Sequence, residues 1–97
     1  MASNYKYVLL TNNAILIGKT SFEEDFTIVE NPYLVQNNGT EILLLPFLEA
    51  ALKQKVPTFK THNINILSTI PVEKNDILDT YLSSITNIEL PKQEIVV

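Results

Sequence analysis

Residues 7–35 read YVLLTNNAILIGKTSFEEDFTIVENPYLV, and the rest of the chain is understood from them. The stretch is too rich in β-branched residues for a helix and too regular for a loop. It reads as three strands joined by two tight turns. Tyr5 to Thr11 is the first strand. Asn12-Asn13 follows, and asparagine tolerates the positive φ that a two-residue type I′ hairpin demands. Ala14 to Phe22 is the second strand, with Ile15 and Ile17 on one side and Leu16 on the other, so both faces are buried near its start. Gly18 lies in its interior, where glycine marks a sharp bend or a close backbone approach. Glu23-Glu24-Asp25 breaks the apolar run as a second turn. Phe26 to Gln36 is the third strand, and Pro32 inside it removes a ladder donor, which predicts a bulge or an edge position.

Working outward, Asn37-Asn38-Gly39-Thr40 is a turn. Glu41 to Phe47, EILLLPF, is a fourth strand whose unbroken apolar run predicts cover on both faces. Leu48 to Lys55, LEAALKQK, supports one or two helical turns inside a connection. Pro57 to Ile70 reads as two short strands meeting at Thr61-His62-Asn63, with Ile64, Ile66 and Ile70 on one face. Pro71 to Thr86 is the long helix: Ile77, Leu78, Tyr81, Leu82 and Ile85 form one apolar stripe, Pro71 suits the first turn, and Glu73 and Asp76 suit the positive N-terminal end. The tail from residue 87 onward stands open between a frayed end and an edge strand at Glu94-Ile95-Val96-Val97.

The chain has 97 residues and a hydrophobic fraction of 45%, which fits one globular domain. Without cysteine it has neither a disulfide framework nor a thiolate zinc site. The N-terminus lacks the pattern of a signal peptide, and no apolar run approaches the roughly 18 residues of a membrane span. These features predict a soluble, cytoplasmic protein with no membrane partner. Net charge is −4, and all seven basic residues are lysines. Arginine, the preferred residue for bidentate phosphate and base contacts, is absent, so the bulk electrostatic footprint of a nucleic-acid binder is missing. A local positive patch on one face of an assembly is still compatible with this composition.

Catalysis is not expected. There is one histidine, no G-x-S-x-G or P-loop pattern, and no base near Ser21, Ser68 or Ser83 in sequence. Glu23-Glu24-Asp25 offers oxygens to a divalent cation, but its spacing is not that of an EF-hand and it reads as a solvated turn. No metal or other cofactor is expected.

Two segments together resemble the Sm-like (LSm) family. Val8-Leu9-Leu10-Thr11-Asn12-Asn13, Ile15-Leu16-Ile17-Gly18, Phe22-Glu23 and Phe26-Thr27-Ile28-Val29 are similar to its first motif: strand, turn, strand with a central glycine, acidic turn, strand. Phe59-Lys60-Thr61-His62-Asn63-Ile64-Asn65-Ile66-Leu67 resembles the second, including the bacterial variant in which a lysine and a histidine precede the last strand. The likeness covers about residues 7–70. It departs from the family in Thr27, which replaces an asparagine, in a shorter turn between the second and third strands, in Lys60-Thr61 for arginine-glycine, and in a C-terminal rather than N-terminal helix. This combination resembles a divergent Sm-like group of marine cyanophages, which implies the cytoplasm of a host cell.

The resemblance implies a mainly β fold, a strongly bent five-stranded antiparallel barrel over about residues 5–70 with a C-terminal α-helix. It also implies a cyclic homo-oligomer of about five to seven subunits, since an open barrel has two strand edges that head-to-tail pairing satisfies. Phe26, Thr27, Lys60, His62 and Asn63 would then face the ring pore and bind single-stranded RNA, by aromatic stacking and by contact with phosphate or base edges. The plainer reading makes Lys60 a solvated strand residue, His62 a turn former bonded to its own backbone and Phe26 a core residue. The alternative function is a ring-shaped structural or adaptor protein whose partners are proteins.

Overall fold

The computed structural model describes residues 4–89. Six strands, β1 (Tyr5–Leu10), β2 (Ile15–Glu23), β3 (Phe26–Asn37), β4 (Ile42–Pro46), β5 (Thr58–His62) and β6 (Ile66–Pro71), form one antiparallel sheet. A single-turn helix α1 (Glu49–Leu52) separates β4 from β5, and a long helix α2 (Asp76–Glu89) follows β6. The sheet order is β4-β3-β2-β1-β6, with β5 also on β3. β3 serves two partners in succession: its Tyr33–Asn37 half pairs with β4 and its Phe26–Glu30 half with β5.

The mainly β architecture with a C-terminal helix is as the sequence predicts. The strand count is not: there are six strands rather than five, in an open sheet. The extra strand arises because the chain leaves β3 after Pro46 and rejoins it at Thr58. Leu48 (φ 63°) and Lys53 (φ 57°), both left-handed, turn the excursion outward around α1. Its two ends are pinned to β3, by Phe47 N–H donating to Pro32 O (3.0 Å) and Asn31 N–H donating to Pro57 O (2.7 Å).

The β1–β2 connection also differs from the two-residue turn expected. Asn13 N–H donates to Leu10 O and Leu10 N–H to Ala14 O, each at 2.9 Å. Only Asn13 has positive φ, 74°. This is a three-residue loop, a tight turn closed by one left-handed residue. The β2–β3 connection is the short acidic turn Glu24-Asp25, with Glu23 directly opposite Phe26.

The bulge foreseen at Pro32 is present. Ile17 pairs with Tyr33 but Lys19 pairs with Glu30, so Asn31 and Pro32 together stand against Gly18. Asn31 takes positive φ (48°) to make the bend. Gly18 permits it by close approach: a Cβ there would meet Val29 Cγ1 at 2.5 Å and Glu30 O at 2.6 Å. One inserted residue reverses which face later residues of β3 occupy. Val29 therefore joins Val8, Leu10 and Leu16 in one core cluster, while Tyr33 joins Ile17, Val72, Leu78 and Tyr81 in the other.

α2 forms because its apolar stripe has this second cluster to cover. Leu78 and Tyr81 are buried, and Ile77, Leu82 and Ile85 pack around them. The helix starts later than the sequence suggests. Pro71 ends β6 opposite Lys6, and Asn75 is the cap, its Oδ1 accepting from Leu78 N–H at 3.0 Å. The shared face expected of Ile64, Ile66 and Ile70 does not form. Ile64 sits in a 3-10 turn (Asn63–Asn65) and is 75% exposed, and a register shift leaves Leu67 outward beside β1. β4 is likewise less covered than its unbroken apolar run predicts, with Ile42, Leu43 and Leu45 exposed. The edge strand considered at Glu94–Val97 lies outside the described residues. Among the described residues, no helix is long and apolar enough to cross a membrane.

Candidate nucleic-acid interface

The β3–β5 ladder brings three of the five sequence-predicted residues, Phe26, Lys60 and His62, to one face, and places Thr27 on the other. Phe26 lies opposite His62, and Ile28 opposite Lys60. Alternation places Phe26, Lys60 and His62 on one face and the buried Thr27 and Val29 on the other. The Phe26 and His62 rings meet edge to face, with centroids 5.4 Å apart at 69°. Lys60 Nζ stands 4.8 Å above the centre of the Phe26 ring, a cation–π arrangement. The same Nζ is 3.3 Å from Glu23 Oε1.

Two of the five, the buried Thr27 and the exposed Asn63, are engaged in hydrogen bonds within the fold. Thr27 is 1% exposed, and its hydroxyl donates to Asn63 Oδ1 at 2.6 Å. Asn63 also donates twice to the acidic turn, from its backbone N–H to Asp25 O (2.7 Å) and from Nδ2 to Glu24 O (3.2 Å). It therefore clamps the β2–β3 turn to the loop after β5, fixing the height of Phe26 relative to His62. His62 Nδ1 accepts from Ile64 N–H at 3.2 Å and caps the 3-10 turn. That bond leaves Nε2 as the nitrogen able to donate outward. The backbone-bonded turn former considered for His62 is thus realised, and Phe26, at 38% exposure, is a surface ring rather than a core one.

Electrostatically the cluster is not a bare cationic patch. One lysine faces Glu23, with Glu24 and Asp25 on the same turn. Both members of the ion pair are more than half exposed, so it is worth no more than about 1 kcal/mol. Among the described residues, no group of three His, Cys, Asp or Glu side chains could share a metal ion.

No family model matches the chain, and no curated protein matches it.

Two contributors escaped the sequence reading: Glu23 as the partner of Lys60, and Asn63 as a clamp rather than a contact. Glu23 could have been found from its place directly across the two-residue turn from Phe26, which puts both side chains on one face.

Proposed function

We propose that the chain is an Sm-like subunit that assembles into a closed ring and offers Phe26, Lys60 and His62 to single-stranded RNA at the pore. The observation that carries the ring is the state of the sheet edges. β4 and β6 are each paired on one side only. They expose Ile42, Leu43 and Leu45 on one edge and Leu67 and Ile70 on the other. Unpaired apolar edges of this kind are liabilities in a monomer and are satisfied when one copy's edge meets the other edge of the next. The barrel reading is supported by counting β4 and β5 as one strand interrupted by residues 47–57. This restores the succession strand, strand, strand, strand, turn, strand, with the 3-10 turn at Asn63–Asn65 before the last.

Light scattering at micromolar concentration is expected to give about five to seven times the 11.0 kDa of one chain. Leu45→Lys or Leu67→Lys, each placing a charge on an exposed edge, is expected to yield a folded monomer. A wild-type monomer at that concentration removes the ring.

The RNA reading is supported by the convergence of an exposed aromatic, a lysine and a histidine from two strands. A short uridine- or adenine-rich oligonucleotide in low salt is the permissive probe. Lys60→Ala is expected to weaken binding and flatten its salt dependence, by roughly 0.7 in slope for each phosphate that the lysine no longer neutralises. Phe26→Ala should cost about 1–3 kcal/mol per stacked base with the slope unchanged. If nothing binds below roughly 100 μM, a level typical of non-specific association, the adaptor reading replaces this one. The feature that favours the adaptor is the acidic surface, Glu23-Glu24-Asp25 at the site and Asp76 and Asp79 exposed on α2.

A further inference from the structure

We propose that Glu23 is a brake on this site: it holds Lys60 across the face of Phe26, and a nucleobase stacks there only after that ion pair opens. The inference rests on the RNA reading above and adds a residue and a sign of effect to it.

Three observations place the brake. Lys60 Nζ lies over the Phe26 ring at 4.8 Å, where a stacking base would sit. His62 meets the same ring edge to face, so a stacking base meets a ring that already holds two neighbours. Glu23 Oε1, 3.3 Å from the ammonium, anchors it there, and among the described residues this is the one ion pair. Glu23 is itself positioned by strand register, directly opposite Phe26 at the end of the β2–β3 ladder. Asn63 steadies the turn from below through the carbonyls of Glu24 and Asp25.

An incoming strand therefore exchanges partners. The base takes the place of the ammonium on Phe26, and the ammonium, on a flexible four-carbon stem, swings to a backbone phosphate. Glu23 is left without its cation beside a polyanion, which opposes binding. Because both ionic groups are well exposed, releasing the brake changes affinity by no more than about fivefold per site. A ring repeats the exchange at every subunit, so a strand that spans several subunits multiplies the effect.

The test is fluorescence anisotropy of a labelled oligouridine in low salt with wild type, Glu23→Gln, Glu24→Gln, Lys60→Ala and the double variant Glu23→Gln/Lys60→Ala. With an oligouridine short enough to engage one site, Glu23→Gln is expected to bind about three- to fivefold more tightly than wild type. Glu24→Gln removes the same charge from the same turn without touching Lys60, and is expected to gain clearly less. In the Lys60→Ala background the advantage of Glu23→Gln is expected to shrink to that of Glu24→Gln, because the two residues act as one unit. Equal gains from both glutamine variants, or a gain from Glu23→Gln that persists without Lys60, reduce the effect to net charge and overturn the brake. Wild-type binding that Glu23→Gln leaves unaltered removes the brake alone. Silence from both wild type and Glu23→Gln removes the RNA reading and the brake together. Both glutamates are exposed, so melting temperatures matching wild type are expected for both single variants.

Discussion

Tyr81→Asp is expected to leave no cooperatively folded protein at 25 °C. Tyr81 is fully buried, and its ring packs edge to face on Tyr33 (5.6 Å, 87°) and Tyr5 (5.9 Å, 69°). Its hydroxyl donates to Asn31 O at 2.9 Å, with Glu30 O also near at 3.3 Å. One side chain thus joins α2 to β1 and β3 and supplies a donor to the backbone at the β3 bulge. Losing a buried ring costs about 3–5 kcal/mol, and burying a carboxylate in its place adds a desolvation penalty. A domain of this size holds only about 5–15 kcal/mol in total. Urea unfolding followed by near-ultraviolet circular dichroism gives the answer, and a melting temperature close to wild type would mean that α2 is not docked. Leu82→Asp, on the half-buried flank of the same stripe, should be milder.

Tyr81→Phe separates the hydroxyl from the ring. It is expected to cost about 1–3 kcal/mol through the unsatisfied carbonyls and to alter the alkaline limb of stability. Burial, with lesser contributions from Tyr5, Tyr33 and Glu30, holds the Tyr81 phenol above its ordinary range. The unfolded chain therefore loses this proton at lower pH than the folded one. Stability is intact below about pH 10 and falls above it, by up to about 1.4 kcal/mol per pH unit from this residue. The phenylalanine variant should fall less steeply there.

Gly18→Ala is expected to be the other severe change. The new methyl would lie 2.5 Å from Val29 Cγ1 and 2.6 Å from Glu30 O. Neither can yield easily, since Val29 is fully buried and Glu30 O is backbone at the bulge. β2 and β3 have to part at that point. Overpacking of this kind costs about 1–3 kcal/mol or more, and each kcal/mol lowers the melting temperature by roughly 4–8 °C in a domain of this length. A shift of only a degree or two would show that the bulge relaxes freely.

The first three strands, the bulge at Pro32, the close approach at Gly18 and the apolar stripe of α2 were all legible in the sequence, because each rests on local chemistry. What was not legible depends on partners distant in the chain. Nothing in EILLLPF distinguishes a strand covered on both faces from an edge strand awaiting a neighbour. Nothing local says that β4 and β5 share one side of β3. Pro71 suits a helix start and a strand end equally well, and Asn75 decides between them only once the end of β6 is known. At the candidate site, the convergence of Phe26, Lys60 and His62 followed from family resemblance. The attachment of Lys60 to Glu23 required the register of two ladders at once.

The pairing of β1 with β6 has a consequence for the order of events in the life of the chain. Tyr5–Leu10 finds its outer partner far along the chain, in Ile66–Pro71, whereas the β1–β2–β3 meander needs only near neighbours. Closing so long a loop costs more chain entropy than any other pairing of the sheet. Until it occurs β1 is itself an open edge. The strand that seals it, β6, carries on its far side one of the two edges proposed to join subunits. A chain that has not finished folding therefore has no complete surface with which to recruit a neighbour, and in the proposed ring, self-assembly is checked by the completion of each subunit.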